Sequence, residues 1–358
     1  MKSIVPVFII LTLTLSSTFF PVFAQSDQPS DKILTQLLNQ RDSIKKEMET
    51  ANAKGDYDKY KQLEEQWNQI VAKITAREEL VKNSQRDAKR LLDEATSLKR
   101  DKKYPQAQAK YEQLLKYTEF IGEDKIPGLK LMIALCLELQ KDYAAAEKTY
   151  SAVILLDPKS AEAFSGKARS LSKMGKDSEA VNFFKKAIEF DPTDYQNYFF
   201  LAQSYEKIDM LEDAETNYQI STQKSPDYYK AWYNLGVLRF KMKKYEEAVS
   251  ALKSAVNSDT KYQKEFHKAY TLIAQIYNAL GKYPDALNAA ESAINLLSNY
   301  GPAHLEKGIA LEKSESYNQA IQAFEKCLND RNCRDSAQWH INLIKEKYLS
   351  PQQPQQQQ

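Results

Sequence analysis

The residue types that do chemistry are few in this chain and lie apart. His267, His304 and His340 fall in different segments, with no Cys, Asp or Glu at the spacing a metal shell needs. Each histidine reads as a surface or packing side chain. Of the three cysteines, Cys136 stands alone, while Cys327 and Cys333 are six apart and can meet around a helix end. Cys327 also falls where a small side chain packs, and a reduced thiol fills that place equally well. Three cysteines do not make a disulfide framework. No Gly-rich phosphate loop and no nucleophile elbow occurs. The expectation is therefore a protein that recognises rather than catalyses: no enzyme, no metal, no cofactor and no small-molecule substrate.

Composition agrees with recognition by a helical scaffold. The 358 residues contain only 9 Gly and 12 Pro, little material for the turns of an all-β fold. With 50 basic and 48 acidic residues interspersed, the net charge is +2, so no long-range field advertises nucleic acid. The N-terminus carries an address. Lys2 precedes an apolar run from Ile4 to Leu15, and a Pro21-Val22-Phe23-Ala24 end gives way to polar Gln25-Ser26-Asp27. That is the layout of a secretory signal cleaved after Ala24, although Ile4 to Ala24 is also about long enough for an uncleaved anchor. The expected location is the periplasm or cell envelope, with secretion as the alternative. Membrane contact is then peripheral at most, unless the N-terminal segment is retained.

What positions any recognition residue is a repeat. Pro158, Pro192 and Pro226 are 34 apart, each ending a segment that reads as two helices with a break between them. Segments begin at Ala88, Pro127, Ala161, Tyr195, Tyr229, His267 and Gly301. Position 20 is Ala in all seven: Ala107, Ala146, Ala180, Ala214, Ala248, Ala286 and Ala320. Position 8 is Ala or Gly throughout: Ala95, Ala134, Ala168, Ala202, Gly236, Ala274 and Gly308. Small residues are needed where two helices approach closely. Position 24 is bulky in Tyr111, Tyr150, Phe184, Tyr218, Leu252 and Phe324, with Ala290 breaking the pattern, and these knobs fill the room left by the small positions. Insertions near Gly122 to Ile126 and Lys261 to Lys264 fall between units, where extra length costs little.

The pattern resembles the tetratricopeptide repeat family. Tyr198, Leu201, Ala202, Tyr205, Ala214, Tyr218 and Pro226 match it in one unit, and Trp232, Leu235, Gly236, Ala248, Leu252 and Ala255 in the next. Ser221 at position 27 and Arg239 at position 11 depart from it, as do Lys130 and His304 at position 4. The resemblance implies an all-α fold, a right-handed α-solenoid of tetratricopeptide helix pairs over 88–334. At 100° per residue, positions 2, 5, 9 and 12 of each first helix lie opposite the core positions. In the family that face lines a concave groove. By resemblance the groove here holds Arg169, Gln196, Phe199, Gln203, Lys230, Tyr233, Val237, Phe240, Thr271 and Gln275. Such a lining suits a protein or peptide partner with apolar anchors, while Phe199 and Phe240 also have a plain reading as packing residues. The Lys and Asn set by which some family members hold a C-terminal carboxylate is not recognisable.

The flanks follow from pattern. Residues 25–32 read as a flexible N-terminus. In 33–86, Tyr60, Leu63, Trp67, Ile70, Ile74 and Val81 step by three and four, with Arg77 interrupting. A helical hairpin turning at Lys54-Gly55-Asp56, a diverged repeat and a coiled coil joining chains into a homo-oligomer all fit this segment. Residues 335–349, with Trp339, Leu343 and Tyr348, read as a capping helix, and the Gln/Pro tail 350–358 as disordered.

Overall fold

The computed structural model describes residues 31–349, so the expected signal peptide and the Gln/Pro tail lie outside the described residues. The chain divides into two compact units after Pro158. Among the described residues every regular element is helical.

The first unit opens with α1 (Lys32–Lys54) and α2 (Tyr57–Arg100), joined by a turn in which Gly55 takes φ +68°. Asp31 and Asp56 cap the two helices through their carboxylates. The seam of α2 closes on α1 of the same chain: Leu63, Ile70 and Ile74 are buried, as is Ala51 opposite. Arg77, which breaks the apolar stripe, donates to Asp31 at 2.7 Å and also bonds Glu119. It thereby ties the start of α1 to the short helix α4 (Thr118–Ile121). Burial pushes the Asp31 carboxyl up, but the Arg77 and Leu34 hydrogen bonds outweigh it and hold the group below the usual carboxylate range. No break separates the hairpin from the first repeat, because α2 runs straight through Ala88 and serves both. It packs on α3 (Tyr104–Leu114), which packs on α5 (Ile126–Leu139), followed by α6 (Tyr143–Leu156).

The second unit is a run of pairs: α7 (Ala161–Lys173) with α8 (Asp177–Phe190), α9 (Tyr195–Lys207) with α10 (Leu211–Lys224), and α11 (Tyr229–Lys241) with α12 (Tyr245–Val256). Then come α13 (Phe266–Ala279) with α14 (Tyr283–Leu296), α15 (Gly301–Lys313) with α16 (Tyr317–Cys327), and α17 (Arg334–Ile344) against the last pair. Each helix packs on the next, and the first helices of several successive pairs also touch. The inserted residues fold as 3-10 turns, Glu123–Lys125 in the first unit and Thr260–Glu265 in the second.

The side chains explain the pairing. All seven Ala at position 20 are 0 % exposed, and Tyr111, Tyr150, Phe184, Tyr218, Leu252 and Phe324 are buried beside them. A Cβ on Gly236 would stand 2.6 Å from Leu252 Cγ, so the bulky position presses directly on the small one. Every turn inside a pair is closed by a residue with left-handed φ at position 15: Lys102, Lys141, Gly175, Asp209, Lys243, Gly281 and Glu315. Successive pairs are also tied by position 4. Tyr198 Oη donates to the Pro192 carbonyl, Trp232 Nε1 to the Pro226 carbonyl and His304 Nε2 to the Ser298 carbonyl. His304, a departure in sequence, thus makes the same backward bond as the aromatics.

Two further departures are compensated. Arg239 pairs with the buried Glu215 at 2.8 Å, and Lys244 reaches the same carboxylate at 2.6 Å. Burial raises the Glu215 pKa, yet the two cations outweigh it and hold the carboxyl low. Ser221 Oγ donates to the Tyr195 carbonyl at 2.9 Å, replacing a methyl contact by a hydrogen bond. Cys327 and Cys333 form a disulfide, with Cα atoms 5.9 Å apart, so the thiol at the small position is not left reduced. The turn Leu328 to Asn332 folds back far enough to bring the start of α17 onto the end of α16.

Candidate functional site

In the second unit α7, α9 and α11 jointly wall an open pocket of about 410 Å³. Its floor is aromatic, with Phe200 stacked 6.1 Å from the buried Phe184 ring and the buried Tyr218 beside them in the lining. Its rim is cationic: Arg169, Lys173, Lys207 and Lys241 all line it. Three of these, Lys173, Lys207 and Lys241, recur at 34-residue steps as the final residue of their helices, where a cation also complements the helix C-terminus.

Hydrogen bonds fix parts of this rim. Lys207 Nζ donates to Ser172 Oγ at 2.9 Å and lies 3.2 Å from Asp177 Oδ1, while Ser172 Oγ donates to the same carboxylate at 2.6 Å. Arg169 donates to Ser165 Oγ at 3.0 Å and stands 5.9 Å from the Phe200 ring centroid. Lys241 has Asp209 at 3.5 Å, with both side chains largely exposed, a contact worth little in water. The one carboxylate on the pocket wall, Glu206, accepts from Tyr218 Oη at 3.1 Å. The same bond recurs in the first unit between Tyr150 and Glu138 at 2.9 Å, which marks it as scaffold. The pocket therefore presents surplus positive charge above an apolar floor.

Of the groove residues expected from sequence, Arg169 and Gln203 are brought together here. Gln196 and Lys230 are exposed elsewhere on α9 and α11, Gln275 is exposed on α13, and Tyr233, Val237, Phe240 and Thr271 are half-buried. Thr271 Oγ1 donates to the His267 carbonyl at 2.8 Å, and the Tyr233 ring stacks 5.6 Å from Tyr229. Phe199 is a correction. It is 4 % exposed, wedged against Phe200, Tyr218 and Tyr228, and offers nothing to a partner. In α9 position 5 turns inward toward the second helix of its own pair, and Ser165, its equivalent in α7, is buried too. The open face is rotated toward positions 6 and 13, which supply Phe200, Asn234 and the three lysines. Their signal was visible in the sequence as Lys at a fixed place in three consecutive units.

The other chemistry-bearing residues are satisfied structurally. His267 Nδ1 donates to the Lys264 carbonyl at 2.8 Å, and His340 Nδ1 bonds Glu312 at 2.5 Å. Burial pushes the Cys136 thiol up to about 11, which keeps it protonated and inert. Among the described residues no group of His, Cys, Asp and Glu is placed to hold a metal ion, and no helix is long and apolar enough to cross a membrane.

Known proteins share this arrangement. Tetratricopeptide repeat families match residues 92–161, 161–194, 227–299 and 301–329. Among solved structures, the C-terminal part of a tetratricopeptide repeat-containing protein from Cytophaga hutchinsonii superposes with a TM-score of 0.57 at 17% identity, covering 70% of this chain and 99% of that one. A tetratricopeptide repeat protein from Parabacteroides merdae gives 0.48 at 12% identity, covering 72% and 98%. The Hsp70-Hsp90 organizing protein 3 of Arabidopsis thaliana is 28% identical over 108 residues, which is 30% of this chain and only 19% of that relative's length. The paired helices, the small and bulky positions in step and the family matches over more than half of the chain lead to one assignment: the chain belongs to the tetratricopeptide repeat family.

Proposed function

We propose that this chain is a non-enzymatic binding protein of the cell envelope or periplasm, which holds an acidic peptide segment of a partner protein against α7, α9 and α11. Tetratricopeptide repeats mediate protein-protein interaction, and the observation that carries the reading is the open pocket with Arg169, Lys173, Lys207 and Lys241 around Phe200. A carboxylate entering there meets several donors at once, and an apolar neighbour on the same peptide covers the ring. Export is supported by the N-terminal Lys2, apolar run and Ala24. The Cys327–Cys333 disulfide supports it independently, since such bonds persist in oxidising compartments.

A peptide array probed with the purified chain tests the binding. Acidic peptides carrying an aromatic or aliphatic residue are expected to be retained, and the double variant Lys173→Glu, Lys241→Glu is expected to lose at least roughly tenfold in affinity. Retention of neutral and acidic peptides alike, or an unaffected double variant, refutes the reading. For location, mass spectrometry of the chain recovered from the envelope is expected to find an N-terminus at Gln25.

A further inference from the structure

The α1–α2 hairpin has a face that the other described residues leave open. α1 packs chiefly on α2, and Ala51 is the one buried residue within it. A single seam between two helices leaves a flank of each open to water. On one flank lies a cleft of about 240 Å³ lined by Lys45, Met48, Glu49, Asn52, Tyr60 and Trp67. Trp and Tyr beside Met form the kind of surface that interfaces favour. Val71, 37 % exposed, continues this flank of α2 one turn beyond Trp67.

The charges on this face are self-complementary. Lys45 and Glu49 sit one turn apart on α1, and both are exposed. Their midpoint is residue 47; the midpoint of Tyr60 and Trp67 on α2 falls between 63 and 64. The turn is centred between Gly55 and Asp56. At 1.5 Å per residue both midpoints therefore lie about 12–13 Å from the turn, at one level along the hairpin. A two-fold axis across the face at that level sets α1 antiparallel to its counterpart, with Lys45 opposite Glu49, and α2 antiparallel to its counterpart, with Tyr60 opposite Trp67. Each group then meets its complement twice, which is the requirement of an isologous interface.

We propose that a second copy of this chain docks on the Met48, Tyr60 and Trp67 face, the two hairpins packing antiparallel as four helices. The interface is separate from the pocket of the second unit, so it stands or falls independently of peptide binding. Light scattering of the purified mature chain at tens of micromolar is expected to give twice the monomer mass. Lys45→Glu and Glu49→Lys are each expected to weaken the dimer at least roughly tenfold, since each replaces two attractions by two repulsions. Mixing the two variants in equal amounts restores complementarity at both pairs, and the doubled mass returns. Trp67→Ala, checked for helicity by circular dichroism, is expected to leave a monomer. A wild-type chain at monomer mass, single reversals without effect, or a mixture that stays monomeric overturns the proposal.

Discussion

Lys102, Lys141, Asp209, Lys243 and Glu315 carry side chains at φ between 60° and 68°, where a Cβ crowds the backbone. The turn inside each pair demands that conformation, because only a left-handed residue returns the chain within so few positions. Gly175 and Gly281 meet the demand without strain. Lys243→Gly is accordingly expected to raise stability by about 0.5–1 kcal/mol, read as a higher urea midpoint at unchanged slope. Glu306 offers a second test. It is buried on α15 with Asn278 as its partner at 2.9 Å, and burial outweighs that bond, pushing its pKa up to about 6. A carboxyl raised above its unfolded value stabilises fully below that unfolded value, and the contribution is lost as pH rises through 6. Stability is thus expected to fall between about pH 4.5 and 7 through this group. Glu306→Gln, which can also donate to the unpartnered Asn278 Oδ1, is expected to add roughly 1–2 kcal/mol at pH 7 and to flatten that part of the profile.

Among the elements, α17 depends most on a single covalent link. It closes the stack with Ala337, Ile341 and Ile344 buried, while Trp339 stays 60 % exposed. The Cys327–Cys333 bond holds its N-cap residue against the end of α16. Cys333→Ala is expected to cost about 2 kcal/mol, as for a short loop. Amide exchange should then quicken across α17 while α9 and α10 keep their protection; equal loss in all three helices would show that the bond does more than anchor the cap. The pairs themselves were legible beforehand, since the small residues at position 8 and the bulky residues at position 24 are mates in one contact. Departures were harder to weigh from sequence. Arg239 and Ser221 lack their partners until Glu215 and the Tyr195 carbonyl are brought beside them by neighbouring helices.

For the molecule as a whole, a net charge of +2 spread over 358 residues leaves attraction to a partner local. In the proposed function the clustered cations around Phe200 supply it. Affinity for an acidic peptide is therefore expected to fall between about 50 and 500 mM salt, whereas Lys186→Glu, on an exposed ion pair outside the pocket lining, is expected to leave it within about twofold. Salt-independent binding, or equal loss in that variant, would assign recognition to apolar contact or to overall charge.

Sequence alone determined that this chain is a series of paired helices, because close helix approach demands small side chains in phase and a 34-residue period records that demand locally. It also marked which residues face the core. Only the tertiary structure decided that Phe199 is spent inside, that Phe200 takes its place on the open face, and that Cys327 and Cys333 are joined. Those outcomes turn on some tens of degrees of helix rotation and on how neighbouring pairs meet. No periodic pattern encodes either.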